Sequence, residues 1–153
     1  MTMVLQLRFL AHNVRSLWNV GSFFRTCDAF GVEKIYLTGY TGTPPRKEIT
    51  KTALGAEEFV PWESSKDPLP ILRALKEEGW YLLALEIMPD AEDLSSVKVP
   101  EKICLIVGHE LTGVPPEILS LCDQVAKIPM LGKKESLNVA VAAGIALHTL
   151  RLQ

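Results

Sequence analysis

Short apolar runs alternate along the chain with segments in which apolar residues recur at helical spacing. The apolar runs are VLQLRFL at 4–10, EKIYLTG at 33–39, WYLLALEI at 80–87 and KICLIVG at 102–108, with a weaker fifth, QVAKIPM, at 124–130. Brief apolar runs bounded by polar or turn-forming residues are typical of buried strands. The pattern therefore predicts five strands, the fifth from the weakest apolar run.

Helical patterns fill the intervals between these runs, at about 20–30, 45–55, 68–78, 115–121 and 136–151. Strands and helices that alternate in this way predict an α/β fold with a mostly parallel sheet flanked by helices. The Pro-Pro pairs at 44–45 and 115–116 precede two of the helices, where proline fits the first turn. The 153 residues match one domain, so we expect no separate module for recognising a substrate.

Composition narrows the class of protein. Hydrophobic residues make up 48% of the chain, yet no apolar run approaches the roughly 20 residues of a membrane span, and the N-terminus lacks the basic region of a signal peptide. Cys27, Cys104 and Cys122 are scattered and odd in number, which predicts reduced thiols in a cytoplasmic protein. The histidines share no metal-ligand spacing with them, so no metal site is expected.

The net charge of −2 and the isoelectric point of about 5.9 disfavour a protein that coats nucleic acid non-specifically. An RNA-binding protein of this composition needs a local basic patch or a second subunit. The chain also lacks GxGxxG, GxxxxGK[ST] and GxSxG, which excludes the dinucleotide fingerprint, the P-loop and the acyl-transfer nucleophile elbow. A nucleotide-like ligand would have to bind by another geometry.

The first stretch with chemical potential is WNVGSFFRTCDAFGV, residues 18–32. Gly21, Arg25 and Asp28 form a stripe at helical spacing, and Asn19 stands where an N-cap is expected. One interpretation is a capped amphipathic helix with a solvated Arg–Asp pair. The other places an arginine, with its rigid fork of donors, beside a glycine that admits another backbone or a phosphate.

The second stretch is ICLIVGHELTGVPPEIL, residues 103–119, where a buried strand ends in Gly-His-Glu. Ligands of open α/β sheets bind outside the carboxyl ends of the strands. Gly108 would let a ligand approach the backbone there, and Glu110 can accept hydrogen bonds from an arginine, an amine or a hydroxyl. A plain strand-to-helix turn with a surface glutamate is the alternative.

The third stretch is IPMLGKKESLNVAVAAG, residues 128–144, in which a cationic loop leads into a helix of small residues. Ser136 can cap that helix, and Asn138 can turn its amide to a ligand or to a turn. The small residues require something to pack closely against the helix. A plain buried helix explains them equally well.

The three stretches, in this order and at this spacing, resemble one known family. Motif one is Asn19-x-Gly21-x-x-x-Arg25 followed by DAFGV, motif two is LIVGHELTGV, and motif three is IPMLGKKESLNVAVAAGIAL. Together they resemble the SpoU (TrmH-like) family of RNA 2′-O-ribose methyltransferases, within the SPOUT superfamily, over essentially the whole chain. One departure is His109, where the family more often has asparagine.

The resemblance implies a fold and a cofactor. It implies a parallel α/β domain with a deep trefoil knot in its C-terminal part, the SPOUT fold, although knots are rare. It also implies S-adenosylmethionine in a bent conformation and a homodimer with the site at the subunit interface. By similarity, six residues would hold the cofactor: Leu85, Glu86, Gly108, Ile128, Met130 and Leu137.

The reaction implied by the resemblance is methyl transfer to a ribose 2′-hydroxyl of RNA. A guanidinium stays protonated in proteins, so we expect Arg25 to bind the adjacent phosphate and stabilise the developing alkoxide rather than act as the base. Glu110 would orient Arg25 or relay the proton. The polar site residues that match the family are Asn19, Arg25, Glu110, Ser136 and Asn138.

A local basic patch would hold the RNA. We expect tRNA as the substrate because no extra domain is present to read a large RNA fold; ribosomal RNA is the nearest alternative. A non-catalytic RNA-binding module, or a small-molecule enzyme whose motifs match by coincidence, would be a different class of protein. The predicted RNA-binding residues, each of which could instead be an ordinary surface charge, are Arg8, Arg15, Arg46, Lys47 and Lys51, with Lys133 and Lys134 in the loop.

Overall fold

A computed structural model describes residues 4–153 and places seven strands in one sheet. The order across the sheet is β3-β2-β1-β6-β4-β7-β5, and every neighbouring pair runs parallel. The strands are β1 Gln6–His12, β2 Lys34–Thr38, β3 Trp62–Ser65, β4 Tyr81–Leu85, β5 Glu92–Asp93, β6 Lys102–Val107 and β7 Gln124–Lys127.

Five α-helices connect or follow these strands. Two short 3₁₀ turns, Ala56–Glu58 and Leu94–Ser96, complete the regular structure of the described residues. The α-helices are α1 Leu17–Ala29, α2 Lys47–Ala53, α3 Leu69–Glu77, α4 Pro116–Leu119 and α5 Val139–Arg151. The α/β class, the parallel sheet and its flanking helices are as the hydrophobic pattern predicts.

Side chains of the central strand β1 alternate between the two faces of the sheet. Leu7 and Phe9 join the core beneath α1, α2 and α5, whereas Leu10 joins the core beneath α3 and α4. A strand buried on both faces reads as a continuous apolar run, which is why β1 was visible in the sequence.

Gly21 lies where α1 crosses α2. A Cβ at this position would overlap the hydroxyl of Thr52 and the carbonyl oxygen of Ile49. Of the two partners expected for this glycine, a backbone or a phosphate, the structure therefore places a backbone against it. The glycine sets the close approach of the two helices.

The helix caps differ from those expected. Ser16, in extended conformation, caps α1 and accepts a hydrogen bond from the backbone N–H of Asn19 at 3.2 Å, so Asn19 lies inside the first turn and is buried. Asn138, and not Ser136, caps α5, which begins at residue 139 rather than 136. In both cases the residue that precedes the first helical turn, in non-helical conformation, provides the cap.

Within residues 4–153, no helix is long and apolar enough to cross a bilayer, and no three His, Cys, Asp or Glu side chains are grouped as metal ligands. The knot implied by the resemblance stays a prediction, because strand order alone does not define how the chain is threaded. Residues 128–138 form no helix or strand and join β7 to α5 over the carboxyl edge of the sheet.

Candidate functional site

A pocket of about 310 Å³ opens at the carboxyl ends of β4, β6 and β7. Ligand pockets in proteins begin at about this volume, and this edge of a parallel sheet is where they form. Segments 85–87, 107–113 and 127–142 provide its walls. The structure brings to this one pocket all six residues expected to hold the cofactor: Leu85, Glu86, Gly108, Ile128, Met130 and Leu137.

The carboxylate of Glu86 holds the loop that follows β6. It accepts hydrogen bonds from the backbone N–H of Val114 at 2.7 Å and of Ile87 at 3.2 Å. Gly113, at φ +73°, lies so close that a Cβ would overlap this carboxylate, and a Cβ on Gly108 would overlap the backbone of Gly113. The glycines are therefore required by the loop's own packing, where the sequence suggested only the approach of a ligand.

Glu110 joins two loops across the edge of the sheet. Its carboxylate accepts hydrogen bonds from the backbone N–H groups of Arg15 at 3.0 Å and Ser16 at 2.9 Å, and from the Asn19 amide at 3.2 Å. Burial opposes the charged form, but these hydrogen bonds outweigh it and lower the pKa of Glu110 below its usual 4.5. Glu110 is thus a structural anion in contact with the β1–α1 loop.

Three side chains form an ordered chain of hydrogen bonds beside the pocket. Because Glu110 only accepts, Asn19 must present its Nδ2 to it, which leaves its Oδ1 to accept from Asn138 Nδ2 at 3.3 Å. Asn138 then has its own Oδ1 available for the N–H groups of Ala140 and Val141, at 2.8 and 3.2 Å. The Glu110 carboxylate therefore sets the orientation of both amides, and through them the cap of α5.

The structure does not bring Arg25 into this group. Arg25 is exposed on α1, six residues beyond Asn19, a rise of about 9 Å along a helix. Within residues 4–153 its side chain makes no hydrogen bond and no ion pair, so neither Glu110 nor Asp28 is its partner. Ser136 is exposed and lines the pocket without capping α5.

Of the residues predicted to bind RNA, all but Arg8 are exposed. Arg46, Lys47 and Lys51 are exposed together at the start of α2, and Arg15 is exposed on the β1–α1 loop. Arg8 stands apart, since its guanidinium binds Glu33 and the Tyr36 hydroxyl, both at 2.8 Å, and covers the ring of Trp80. Lys133 and Lys134 are exposed in the loop before α5.

Sequence reasoning missed Tyr40, which follows β2. Its ring packs against that of His109, with centroids 6.3 Å apart and planes 82° apart. The sequence did contain a signal, because Tyr40 follows a buried strand directly in Thr-Gly-Tyr. The carboxyl ends of neighbouring parallel strands lie at one edge of the sheet, so a residue at this position is expected near the pocket.

Comparison with known proteins agrees with the motifs. The profile of the SpoU rRNA Methylase family matches residues 6–148. The chain is similar to a tRNA (guanosine(18)-2′-O)-methyltransferase of Thermus thermophilus, at 35% identity over 147 residues, which cover 96% of this chain and 75% of the relative.

Two crystal structures share the fold. The TrmH/SpoU tRNA modifying enzyme of Aquifex aeolicus gives a TM-score of 0.89 at 32% identity, covering 97% of this chain and 75% of that one. An AdoMet-bound rRNA methyltransferase from Sinorhizobium meliloti gives 0.90 at 27% identity, covering 96% of this chain and 56% of that one. The seven-stranded parallel sheet described above is therefore the sheet of this group of proteins.

Proposed function

The chain belongs to the SpoU methylase family, and from this premise we propose that it transfers a methyl group from S-adenosylmethionine to a ribose 2′-hydroxyl of RNA, with tRNA as its substrate. One observation carries the proposal. All six residues expected to hold the cofactor line a single pocket, and Asn138, Asn19 and Glu110 form an ordered hydrogen-bond chain beside it.

The walls of the pocket suit S-adenosylmethionine. Leu85, Ile128, Met130 and Leu137 offer apolar contacts for an adenine ring, and the backbone of the Gly108 loop offers hydrogen bonds. A structure similar to this chain holds AdoMet, which supports the same cofactor here. When bound, this cofactor supplies an electrophilic methyl group, so the residues of the chain have mainly to align the incoming hydroxyl.

A tRNA substrate is supported by the Thermus relative and the Aquifex structure, both of which are tRNA enzymes by name. Ribosomal RNA remains the second candidate, because the Sinorhizobium protein is an rRNA methyltransferase. A cytoplasmic location belongs to the same proposal and is supported by the three cysteines, all of which are free thiols.

The proposal includes a homodimer in which each pocket is completed by the second copy. Val141 and Ile145, 52% and 40% exposed, form an apolar stripe on α5 beside Thr26 of α1 and Phe30, the residue that follows α1. Large apolar side chains exposed in a row are typical of an interface. Arg25 is the exposed residue before Thr26 in α1, and we infer that it serves the pocket of the partner rather than its own.

In that position Arg25 binds the phosphate beside the target ribose and stabilises the alkoxide as it forms. The fork of donors is needed for this task, so Arg25→Lys should lose most of its turnover and keep its affinity for S-adenosylmethionine. Near-normal turnover of this variant would contradict the role.

Labelled S-adenosylmethionine mixed with total tRNA, and separately with rRNA, tests the reaction. Nuclease digestion of the tRNA should release a labelled 2′-O-methylnucleoside. Label in rRNA alone would overturn the substrate, and label in neither would overturn the function.

The affinity for tRNA should also fall steeply as the salt concentration rises, because phosphate contacts release counterions. An affinity that does not change with salt would argue against phosphate binding by Arg46, Lys47 and Lys51.

Mixed dimers test whether the site is shared. Arg25→Ala and Asn138→Ala chains, each inactive alone, should regain about a quarter of wild-type activity when unfolded and refolded together, because half of the dimers then contain one intact site. Each variant refolded with itself is the control. If the mixture stays inactive although mixed dimers form, both residues act within one protomer.

A further inference from the structure

Tyr40 is held rigidly by its backbone while its ring is left in solvent. Its N–H donates to the side-chain oxygen of Asn13 at 3.1 Å, and the neighbouring Thr41 accepts from Val14 N–H at 3.0 Å. Asn13 has a positive φ of 56°, rare for a residue with a side chain. The Tyr40 side chain is nevertheless 58% exposed. The turn therefore fixes the position of an aromatic ring that it does not bury.

The ring of His109 is fixed from its other end. Its Nδ1 accepts hydrogen bonds from the backbone N–H groups of Leu111 at 3.0 Å and Thr112 at 3.1 Å. A nitrogen that accepts carries no proton, so the ring proton is on Nε2. Within residues 4–153, no protein group accepts a hydrogen bond from this Nε2–H.

The two rings meet at the margin of the cofactor pocket. His109 lines the pocket between Gly108 and Glu110, and Tyr40 packs against its outer side at a centroid distance of 6.3 Å, within the usual range for aromatic pairs. An exposed ring and an unused donor thus lie side by side, next to the place where the target ribose must come.

We propose that Tyr40 and His109 receive the base of the nucleotide that is methylated. The base stacks on the exposed ring of Tyr40, and Nε2–H of His109 donates to a nitrogen or oxygen acceptor on its edge. Proteins read unpaired RNA bases by this combination of aromatic stacking and hydrogen bonding. The inference rests on the proposed function and adds to it the residues that hold the base.

Paired substitutions separate the two contacts. Tyr40→Phe keeps the stacking surface, whereas Tyr40→Leu removes it. His109→Asn removes Nε2–H but keeps a side-chain oxygen that accepts from the same two backbone N–H groups. Phe59→Leu is the matched control. Phe59 is 74% exposed and precedes β3, so it lies at the amino ends of the strands, whereas the pocket lies at their carboxyl ends.

We expect Tyr40→Leu to raise KM for the tRNA about 5- to 150-fold, the range for loss of one stacked base. His109→Asn should raise it about 2- to 10-fold, as for one lost hydrogen bond. Tyr40→Phe should recover most of the loss seen in Tyr40→Leu, and Phe59→Leu should match wild type. Calorimetry should find an unchanged affinity for S-adenosylmethionine in both Tyr40 variants and in Phe59→Leu. A wild-type KM in Tyr40→Leu overturns the proposal, as does a parallel loss of cofactor affinity.

A synthetic RNA with an abasic ribose at the methylated position completes the test. Wild type and Tyr40→Leu should bind it equally, because the contact they differ in is then absent from both complexes. An equal loss on abasic and normal RNA would mean that Tyr40 contacts another part of the substrate. If wild type transfers no methyl group at all, the proposed function fails, and filter binding of total tRNA by the same variants still decides whether the two rings contact RNA.

Discussion

Replacing Asn138 by aspartate separates two tasks that one side chain performs. The side-chain oxygen caps α5 by accepting from the N–H groups of Ala140 and Val141, and the Nδ2 group donates to Asn19. An aspartate keeps the acceptor, and its charge suits a helix N-terminus. It has no donor for Asn19 Oδ1, so the link to Glu110 is broken while the helix start is kept.

The expected magnitudes differ for the two tasks. Loss of a side-chain N-cap costs about 1 kcal/mol, which in a chain of this length lowers Tm by about 2–4 °C. Asn138→Ala should show at least that loss, whereas Asn138→Asp should melt near wild type, because its charge at the helix N-terminus contributes about 0.3–1 kcal/mol and offsets most of the hydrogen bond lost to Asn19. Loss of the hydrogen bond to Asn19, at 3.3 Å, costs about 0.5–1.5 kcal/mol and leaves two oxygens facing one another. Repulsion between these oxygens favours rotation of the Asn19 amide, which would break its hydrogen bond to Glu110.

Thermal melting followed by circular dichroism, with methyl transfer to tRNA measured on the same preparations, tests this division. Asn138→Asp should combine a wild-type Tm with strongly reduced turnover. A variant that melts normally and also works normally would show that the hydrogen-bond chain has no part in the reaction. A variant that melts as early as Asn138→Ala would show that the cap was wrongly assigned.

Three further substitutions test the site and its supports. Gly108→Ala should destabilise the fold by about 1–3 kcal/mol and weaken S-adenosylmethionine binding measured by calorimetry, because the added methyl meets the backbone of Gly113; tight binding would contradict this account of the loop. The pKa of Glu110 is lowered from 4.5, so its ionised form stabilises the folded protein above pH 4.5, and this contribution is lost as the pH falls through the lower pKa of the folded state. Glu110→Gln should therefore lose less Tm than wild type as the pH falls. Tm–pH curves of the same shape for the two proteins would contradict this role of Glu110. Arg151→Ala should cost about 2 kcal/mol in urea unfolding, because this guanidinium binds the carbonyls of Leu5, Phe30 and Gly31, and an unchanged midpoint would argue against that clamp.

The inner strands were predictable because burial on both faces leaves a long apolar run. The two strands that were not predicted, Trp62–Ser65 and Glu92–Asp93, lie at the two edges of the sheet. One is mostly polar and half exposed, and the other has two residues, so neither gives the hydrophobic pattern on which such a prediction depends. Their places follow from pairing with a neighbour far away in sequence.

The position of the pocket in the sheet was predictable, but the contacts of its residues were not. Motif spacing placed Gly108 and Glu110 at the carboxyl edge of the sheet, and both lie there. Which atoms each one meets depends on segments that lie far apart in the sequence. Val114 N–H donates to the Glu86 carboxylate across 28 residues, and Arg15 N–H donates to the Glu110 carboxylate across 95 residues. Spacing also placed the caps one turn or less from their true positions, at Asn19 and Ser136.

The geometry of Glu110 limits how the 2′-hydroxyl can lose its proton. Three hydrogen bonds already occupy its carboxylate, and they lower its pKa, which makes it a weaker base than an ordinary glutamate. A group that holds two loops together in its ionised form cannot accept a proton without weakening them. These contacts support Glu110 as a positioning residue in the proposed reaction, which then depends on alignment of the hydroxyl with the methyl group and on a cation that stabilises the alkoxide. Arg25 is exposed on α1 and makes no hydrogen bond to Glu110, so in the proposed dimer this cation comes from the second copy of the chain.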